Sequence, residues 1–470
     1  LSTLQEWIAR GQELLDGFDL PALRAARVLP ADGRFVPVIT YPSLTQYGPL
    51  DAREVVARRL LASTGPMAVY IHVPFCFFRC SYCHWDVRVN PPLAEVDRFL
   101  AALDREMAQM CRTLGVDRIA ASSVLIGGGT PTWLDPGRLG GLLDSLHRHV
   151  DVSACRQFSV EAEPSSLLGE VGASRLRQMI ERGVDRISLG VQSFEDAILT
   201  RMGRKHTGAD CFAAVDAIRA AGFASLSLDL IYGYPGQSVD DWAHSLLEAV
   251  RSGADAWQLY RLRIERHGDV QGRILEEFRE KNDEFPARTR ADLMKAIGNV
   301  VSVGHGRDEH FTRIFATTPA HVTQYMADYC IRLTDVAGFG PSSWSNYGRV
   351  FTQNIAVDLD GYVRAIEAGL PPFDRGLIRD SDTDARRSVV SPLKNGQVSQ
   401  RAFRERLGFD ADTYFAPAIA HLEAHGLLER NARALRLTPR GRFVADESVM
   451  AFYQRRYLPY PELAQPWMPE

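Results

Sequence analysis

Cysteine is scarce in this chain and unevenly placed. Seven cysteines occur in 470 residues, and three of them fall between positions 76 and 83. The other four, Cys111, Cys155, Cys211 and Cys330, stand singly, without the spacing of a disulfide framework or a second metal cluster. They read as small buried hydrophobes. No apolar run approaches the roughly 20 residues that a membrane helix needs. An excess of charge is also missing: a net charge of −4 gives no general affinity for nucleic acid or membranes. The first residues, LSTLQEWIARGQELLDGF, follow an amphipathic helical pattern and not the layout of a signal peptide. These absences point to a cytoplasmic protein. A start at Leu1, without Met, is expected of a piece of a longer protein. Apolar residues, at 46%, are plentiful enough for a large core and a second small domain.

The stretch around which the rest is organised is YIHVPFCFFRCSYCHWD, residues 70–86, with Cys76, Cys80 and Cys83 in a C-x3-C-x2-C run. Three soft thiolates on one loop suit an iron–sulfur cluster, zinc or copper(I). A four-iron cluster held by three cysteines leaves one iron open to a substrate or cofactor. A three-cysteine zinc knuckle completed by His84, or a chance group of buried thiols, accounts for the same triplet.

From residue 66 to about 262 a βα rhythm sets in. Strand-like runs at 67–73, 123–128, 157–163, 185–192, 225–233 and 255–264 alternate with helical patterns, the signature of a parallel sheet with helices outside. Six units predict an α/β fold, a partial (β/α)6 TIM-like barrel with its active site at the carboxyl ends of the strands. Residues 1–65 read as an N-terminal helical region with a proline-punctuated loop, packing across the mouth of the barrel, and Asp51 reads as an N-cap. The barrel domain and its extension are assigned to 66–375. The extension carries a charged helical stretch (ILEEFREKNDEF), a second helix (ADLMKAIGNVVS) and a glycine-punctuated loop at 338–348. Residues 376–470 read as a winged-helix-like domain and tail. The recognition helix of that domain has hardly any basic residues, so nucleic acid is not expected as its partner.

Several chemistry-bearing groups fall at predicted strand ends. Gly127-Gly128-Gly129-Thr130 lets the backbone approach a ligand closely and offers amides to an anion, or makes a tight turn. Glu161 and Asp229 sit in apolar strands, where a carboxylate needs a partner, either a ligand's ammonium or diol or an internal Arg. Gln192 and Arg204 pose the same choice between ligand and structure.

The cysteine run with Tyr82 before its last member resembles the radical S-adenosylmethionine (SAM) signature. Together with YIHVPFC, GGGTPT, EAEP, GVDRISLGVQSF, LDLIYGYPGQS and the winged-helix tail, it is similar to the oxygen-independent coproporphyrinogen III oxidase-like branch of that superfamily. The resemblance implies a [4Fe-4S] cluster on Cys76, Cys80 and Cys83, with SAM on the open iron and a 5′-deoxyadenosyl radical formed by one-electron cleavage. By position it places Tyr70, Gly128, Glu161, Gln192, Arg204 and Asp229 around this cofactor. A second SAM would face Tyr82, Gly129, Thr130, Arg261 and Trp344, although Arg261 and Trp344 are larger than the residues expected there. The resemblance further implies a small-molecule substrate and an electron donor such as flavodoxin or ferredoxin. It singles out no further catalytic residue.

The first expectation for the reaction is methylation or cyclopropanation of a natural-product intermediate by a two-SAM methyltransferase. The alternatives are coproporphyrinogen oxidative decarboxylation, another radical tailoring such as sulfur insertion, and haem delivery by a chaperone. Against the oxidase, His84 and Trp85 stand where a further cysteine is usual, and the loop VITYPSLTQY has no preceding arginine. Against the chaperone stands the long amino-terminal region.

Overall fold

The computed structural model describes residues 3–30, 35–63, 65–262, 288–356 and 358–470. Six parallel strands lie side by side in chain order: β1 Met67–Val73, β2 Ile119–Gly128, β3 Phe158–Ala162, β4 Arg186–Gln192, β5 Ser225–Tyr232 and β6 Ala256–Arg261. Their register sets Tyr70 opposite Leu125, Val160 opposite Ile187, and Leu228 opposite Trp257. Every residue of β1 is buried, which is why its sequence is a continuous apolar run instead of an alternating one.

Helices α1 Leu93–Leu114, α2 Pro136–His149, α3 Gly169–Ile180, α4 Gly208–Ala221 and α5 Val239–Arg251 connect them. Local chemistry sets several of their starts. Asp135 accepts from the Arg138 amide, and Thr207 and Ser238 form reciprocal capping boxes with Asp210 and Asp241. The partial barrel with helices outside is therefore as expected.

Beyond β6, the sheet continues with two antiparallel strands, β7 Asp308–Phe311 and β8 Ile314–Ala316, in the order β6-β8-β7. On the opposite edge β9 Val336–Phe339 pairs in parallel with β1, followed by antiparallel β10 Trp344–Tyr347, β11 Val350–Asn354 and β12 Phe373–Ile378. Residues 338–348, read from sequence as a glycine-punctuated loop, thus contribute to two strands. The reason is close packing: a Cβ on Gly338 would lie 2.3 Å from the Trp344 carbonyl oxygen, so glycine here admits strand pairing.

The amino-terminal helix Leu4–Gly17 does not lie across the mouth. It packs on the outer flank, where Trp7 meets Gly304 and Gly11 meets Ile297 of the helix Arg288–Gly304. That helix contains the stretch ADLMKAIGNVVS, as expected, whereas ILEEFREKNDEF lies outside the described residues. Asp51 does cap its helix, accepting from the Arg53 amide at 2.8 Å.

The carboxyl-terminal unit joins helices Ser381–Asn395, Gln400–Leu407 and Ala416–Ala424 to a three-stranded sheet made of Gln397–Ser399, Leu428–Arg430 and Ala434–Leu437. Leu20, Leu23 and Tyr41 share its core with Leu393, Phe415 and Phe452. A buried Lys394–Asp446 pair at 2.6 Å lies in the same region. Among the described residues no helix is long and apolar enough to cross a membrane.

Candidate active site

The cysteine loop leaves the carboxyl end of β1 and is fastened along its length. Phe75–Cys76 pairs with Arg88–Val89, and the Asn90 amide donates to the Cys76 carbonyl at 3.0 Å. The Ser81 amide donates to the Met202 carbonyl at 3.0 Å, and the Cys83 amide to the Cys80 carbonyl at 3.1 Å. Burial pushes the Cys76 thiol up to about 12 and the Cys83 thiol up to about 11. Binding a metal here would therefore release protons against that desolvation. Among the described residues, no three His, Cys, Asp or Glu side chains close on a single-ion position. The three thiols fit a larger sulfur-ligated group on chemical grounds: they are soft donors, half-buried or buried, on one fixed loop.

The glycine triplet is explained by its neighbours. The Gly129 amide donates to the Val73 carbonyl at 2.8 Å and the Thr130 amide to the Phe75 carbonyl at 2.7 Å. These two amides are committed to holding the cysteine loop, so they are not open to an anion as the sequence reading had them. Gly128 adopts φ +103°, and its amide donates to Glu161 Oε2 at 3.2 Å. A Cβ on Gly127 would lie 2.6 Å from the Glu161 carboxylate, and one on Gly128 would lie 2.6 Å from the His72 ring. The triplet is a seat for Glu161 and His72.

Glu161 and Asp229 face the same lumen from β3 and β5. Burial pushes Glu161 up to about 7, reinforced by the Asp229 charge. Burial likewise pushes Asp229 up to about 6, opposed by Arg186 and by hydrogen bonds from Ser188 and Gln258. Ser188 Oγ donates to both Asp229 oxygens at 3.3 and 3.4 Å. Two buried carboxylates of raised basicity at one mouth are suited to a cationic or hydroxylated ligand.

Arg204 joins this mouth to the cysteine loop. Its Nη1 donates to Cys80 Sγ and to the Tyr82 hydroxyl, both at 3.4 Å, and its Nη2 donates to the Gly190 carbonyl at 2.8 Å. Glu163 lies 3.5 Å from Nη2 and is itself bonded to His206 at 2.8 Å. Burial alone would raise Glu163, but the His206 hydrogen bond and the Arg204 charge hold it below the ordinary carboxylate range. The sequence reading missed Glu163 and His206, although the E-A-E spacing put a second carboxylate two residues from Glu161. Gln192 sits at a register shift in β4 with φ +68°, an uncommon backbone for a residue with a side chain and the kind of strain found at ligand sites.

Of the remaining expected residues, Tyr70 shares a hydrogen bond of 3.0 Å with His72 Nδ1, and His72 Nε2 has no partner. Thr130 Oγ1 lies 3.5 Å from Cys76 Sγ. Arg261 and Trp344 are engaged elsewhere. Arg261 pairs with Asp292 at 3.6 Å and stacks over Phe35 at 4.9 Å, while the Trp344 ring lies 4.3 Å from that of Tyr329. Neither is hydrogen-bonded or ion-paired to the cysteine loop.

Residues 70–249 match the Radical SAM superfamily, and residues 381–444 match the HemN C-terminal domain. The chain is 29% identical over 393 residues to the haem chaperone HemW of Bacillus subtilis, which covers 82% of this chain and 98% of that protein. It is 28% identical over 441 residues to the oxygen-independent coproporphyrinogen III oxidase of Pseudomonas aeruginosa, covering 89% of this chain and 93% of that protein. In fold it is similar to the coproporphyrinogen III oxidase HemN of Escherichia coli, with a TM-score of 0.75, 22% identity, and 88% and 96% of the two chains covered.

Proposed function

Taking the chain as a radical SAM protein that ends in a HemN C-terminal domain, we propose that it cleaves SAM to begin oxidative decarboxylation of a carboxylated, porphyrinogen-type substrate. The observation that carries the SAM-cleaving part of this reading is the Arg204 bridge, which ties Cys80 to the strand-end rim holding Glu161 and Asp229.

In this reading Cys76, Cys80 and Cys83 would hold a [4Fe-4S] cluster, Glu161 and the glycine backbone at Gly128 would suit the methionine end of SAM, and Asp229 and Gln192 its ribose side. When bound, the cluster supplies one electron, from a flavodoxin- or ferredoxin-type donor, to split the sulfonium bond and set off hydrogen abstraction. The protein's own part is electrostatic and steric. Glu161 and Asp229 gain cationic and hydroxyl partners that relieve their burial. Arg204, fixed through Gly190 and Glu163, holds the middle of the cysteine loop against the rim.

The match to the Pseudomonas oxidase along most of both chains supports decarboxylation. A second reading, haem delivery, is supported by the match to nearly the whole Bacillus chaperone. The first expectation from sequence, two-SAM methylation or cyclopropanation, predicts a different product set and is tested alongside. The test is anaerobic incubation of the reconstituted protein with SAM, a reductant, coproporphyrinogen III and a one-electron acceptor for the electron left on the substrate radical as carbon dioxide departs. Decarboxylation gives 5′-deoxyadenosine and carbon dioxide without S-adenosylhomocysteine. S-adenosylhomocysteine formed together with 5′-deoxyadenosine returns the methylation reading, and stoichiometric haem binding without turnover the chaperone reading.

A further inference from the structure

Below the cofactor rim, the barrel lumen contains a cavity of about 130 Å³, lined by Glu161, Arg186, Ser188, Gln258, Tyr260 and a second guanidinium, Arg313, together with apolar side chains. This is far more space than a single water needs. Its polar lining follows from strand periodicity: residues two apart on a strand share a face, so Arg186 and Ser188, and Gln258 and Tyr260, all point inward. Most of these groups are mutually satisfied. Tyr260 donates to Gln258 Oε1 at 2.8 Å, Gln258 donates to Ser188 at 3.3 Å, and Ser188 donates to Asp229.

Arg186 is not among them. It is 1% exposed, and its Nε and Nη2 have no hydrogen-bond partner among the described residues. Thr323 Oγ1 at the same cavity and Ser227 Oγ, on the lumen face of β5 two residues before Asp229, are also buried without partners among the described residues. A buried guanidinium with two idle donors is costly unless a ligand or ordered water takes them. Asp229 and Glu161 act on Arg186 electrostatically, but neither forms an ion pair with it among the described residues. Both carboxylates belong to the cofactor rim in the reading above. Once SAM engages them, the charge of Arg186 is left for another anion. The fork geometry of its donors suits a carboxylate.

We propose that Arg186 anchors a carboxylate of the substrate in this lumen cavity, beneath the cofactor. The proposal rests on the radical SAM reading for the place of the cofactor but not on the identity of the substrate. Glu161 links the two levels: it lines the cavity and accepts from the Gly128 amide. SAM bound at Glu161 and Asp229 therefore tightens carboxylate binding, and by linkage the carboxylate tightens SAM binding.

The probe is [1-¹³C]propionate, titrated anaerobically into the reconstituted protein with and without SAM and followed by line broadening of the carboxyl resonance. Propionate is expected to bind the wild type more tightly when SAM is present, and neutral propionamide to bind neither form. Arg186→Gln is expected to weaken propionate about tenfold or more, and Arg186→Lys to retain part of the affinity. Propionamide binding as well as propionate, no binding of propionate to the wild type, or equal affinity in Arg186→Gln would each overturn the assignment. The comparison of propionate with propionamide needs no variant, so it stands even if a substitution at this buried position prevents folding. Failure of the decarboxylation reading shows separately, as the absence of carbon dioxide from coproporphyrinogen III while propionate still binds.

Discussion

Arg204 donates to the Cys80 sulfur at 3.4 Å through one nitrogen and to the Gly190 carbonyl at 2.8 Å through another, so one side chain sets the distance between the cysteine loop and the fourth barrel strand. A planar fork with fixed donor directions can hold both partners at once, and a lysine ammonium cannot do so in the same geometry. Arg204→Lys is expected to leave the iron content near that of the wild type and to weaken SAM binding about tenfold or more, the range of charge-assisted hydrogen bonds. The perturbation of the reduced cluster's electron paramagnetic resonance spectrum by SAM measures this. An unchanged SAM titration would show that Arg204 only braces the fold.

The glycine triplet gives a prediction with its own control. A Cβ on Gly129 would come 2.6 Å from the Phe75 carbonyl oxygen and 2.8 Å from that of Val73. Both are backbone atoms, one in the cysteine loop and one at the end of β1, and cannot swing aside. Gly129→Ala is expected to destabilise the protein by about 1–3 kcal/mol and to lower the iron bound on reconstitution. Gly141, exposed in α2, has nothing within 4 Å of its would-be Cβ. Gly141→Ala is expected to stabilise by about 0.5–1 kcal/mol, with iron unchanged. Denaturant melts and iron assays on the two variants separate local crowding from general glycine effects.

Glu161 and Asp229 make the unliganded mouth a source of instability at neutral pH. Both carboxyls have folded-state values raised above their unfolded ones, to about 7 and about 6. Between roughly pH 4 and 7 the folded state therefore binds more protons than the unfolded state, and the stability from these groups is lost as pH rises through that window. Glu161→Gln removes one of the two charges. It is expected to be more stable than the wild type at pH 8, by on the order of 1–3 kcal/mol, and equal to it near pH 4.5. Urea melts of both proteins at the two pH values check the sign, and a stability gain at low pH instead would contradict it. The same variant is expected to lose SAM affinity, since its amide cannot pair with an ammonium group.

Glu106 illustrates a buried carboxylate with a structural task. It accepts from Tyr362 and Asn354 at 2.6 Å each and from the Gly340 amide at 2.8 Å, joining α1 to the turn after β9. Tyr362→Phe leaves one lone pair of a buried group unpartnered, at a cost of about 1–3 kcal/mol. Iron binding and SAM affinity are expected to be unchanged, because Tyr362 donates to Glu106 and not to the cysteine loop. A loss of cluster in a folded Tyr362→Phe protein would contradict that separation.

Much of the barrel was legible in the sequence because its strands are largely apolar and three of its five helices, α2, α4 and α5, carry side-chain caps. The run MAVYIHV is β1 residue for residue, and LAEVDRFLAALDREMAQMCRTL is α1. The sheet extension at 336–347 was not legible, since Gly338 looks like loop punctuation until the Trp344 carbonyl is seen against it. In the site, the metal-ligand spacing of the cysteines and the carboxylates in apolar strands announced themselves by being costly. Gly129 was recognised as important, but its task is contact with the loop at Phe75, a tertiary fact that no local pattern encodes. Arg186 was hidden for a related reason. An arginine at the start of an apolar strand looks like a surface residue, and only the folded lumen shows it to be buried with idle donors.

The central claim, that Cys76, Cys80 and Cys83 hold the cluster that cleaves SAM, is tested most directly by metal analysis of anaerobically reconstituted protein paired with an assay for 5′-deoxyadenosine. About four irons per chain and 5′-deoxyadenosine release on reduction are expected in the wild type, with both lost in Cys80→Ala. A single bound zinc, or a Cys80→Ala protein that keeps its iron and still cleaves SAM, would contradict it.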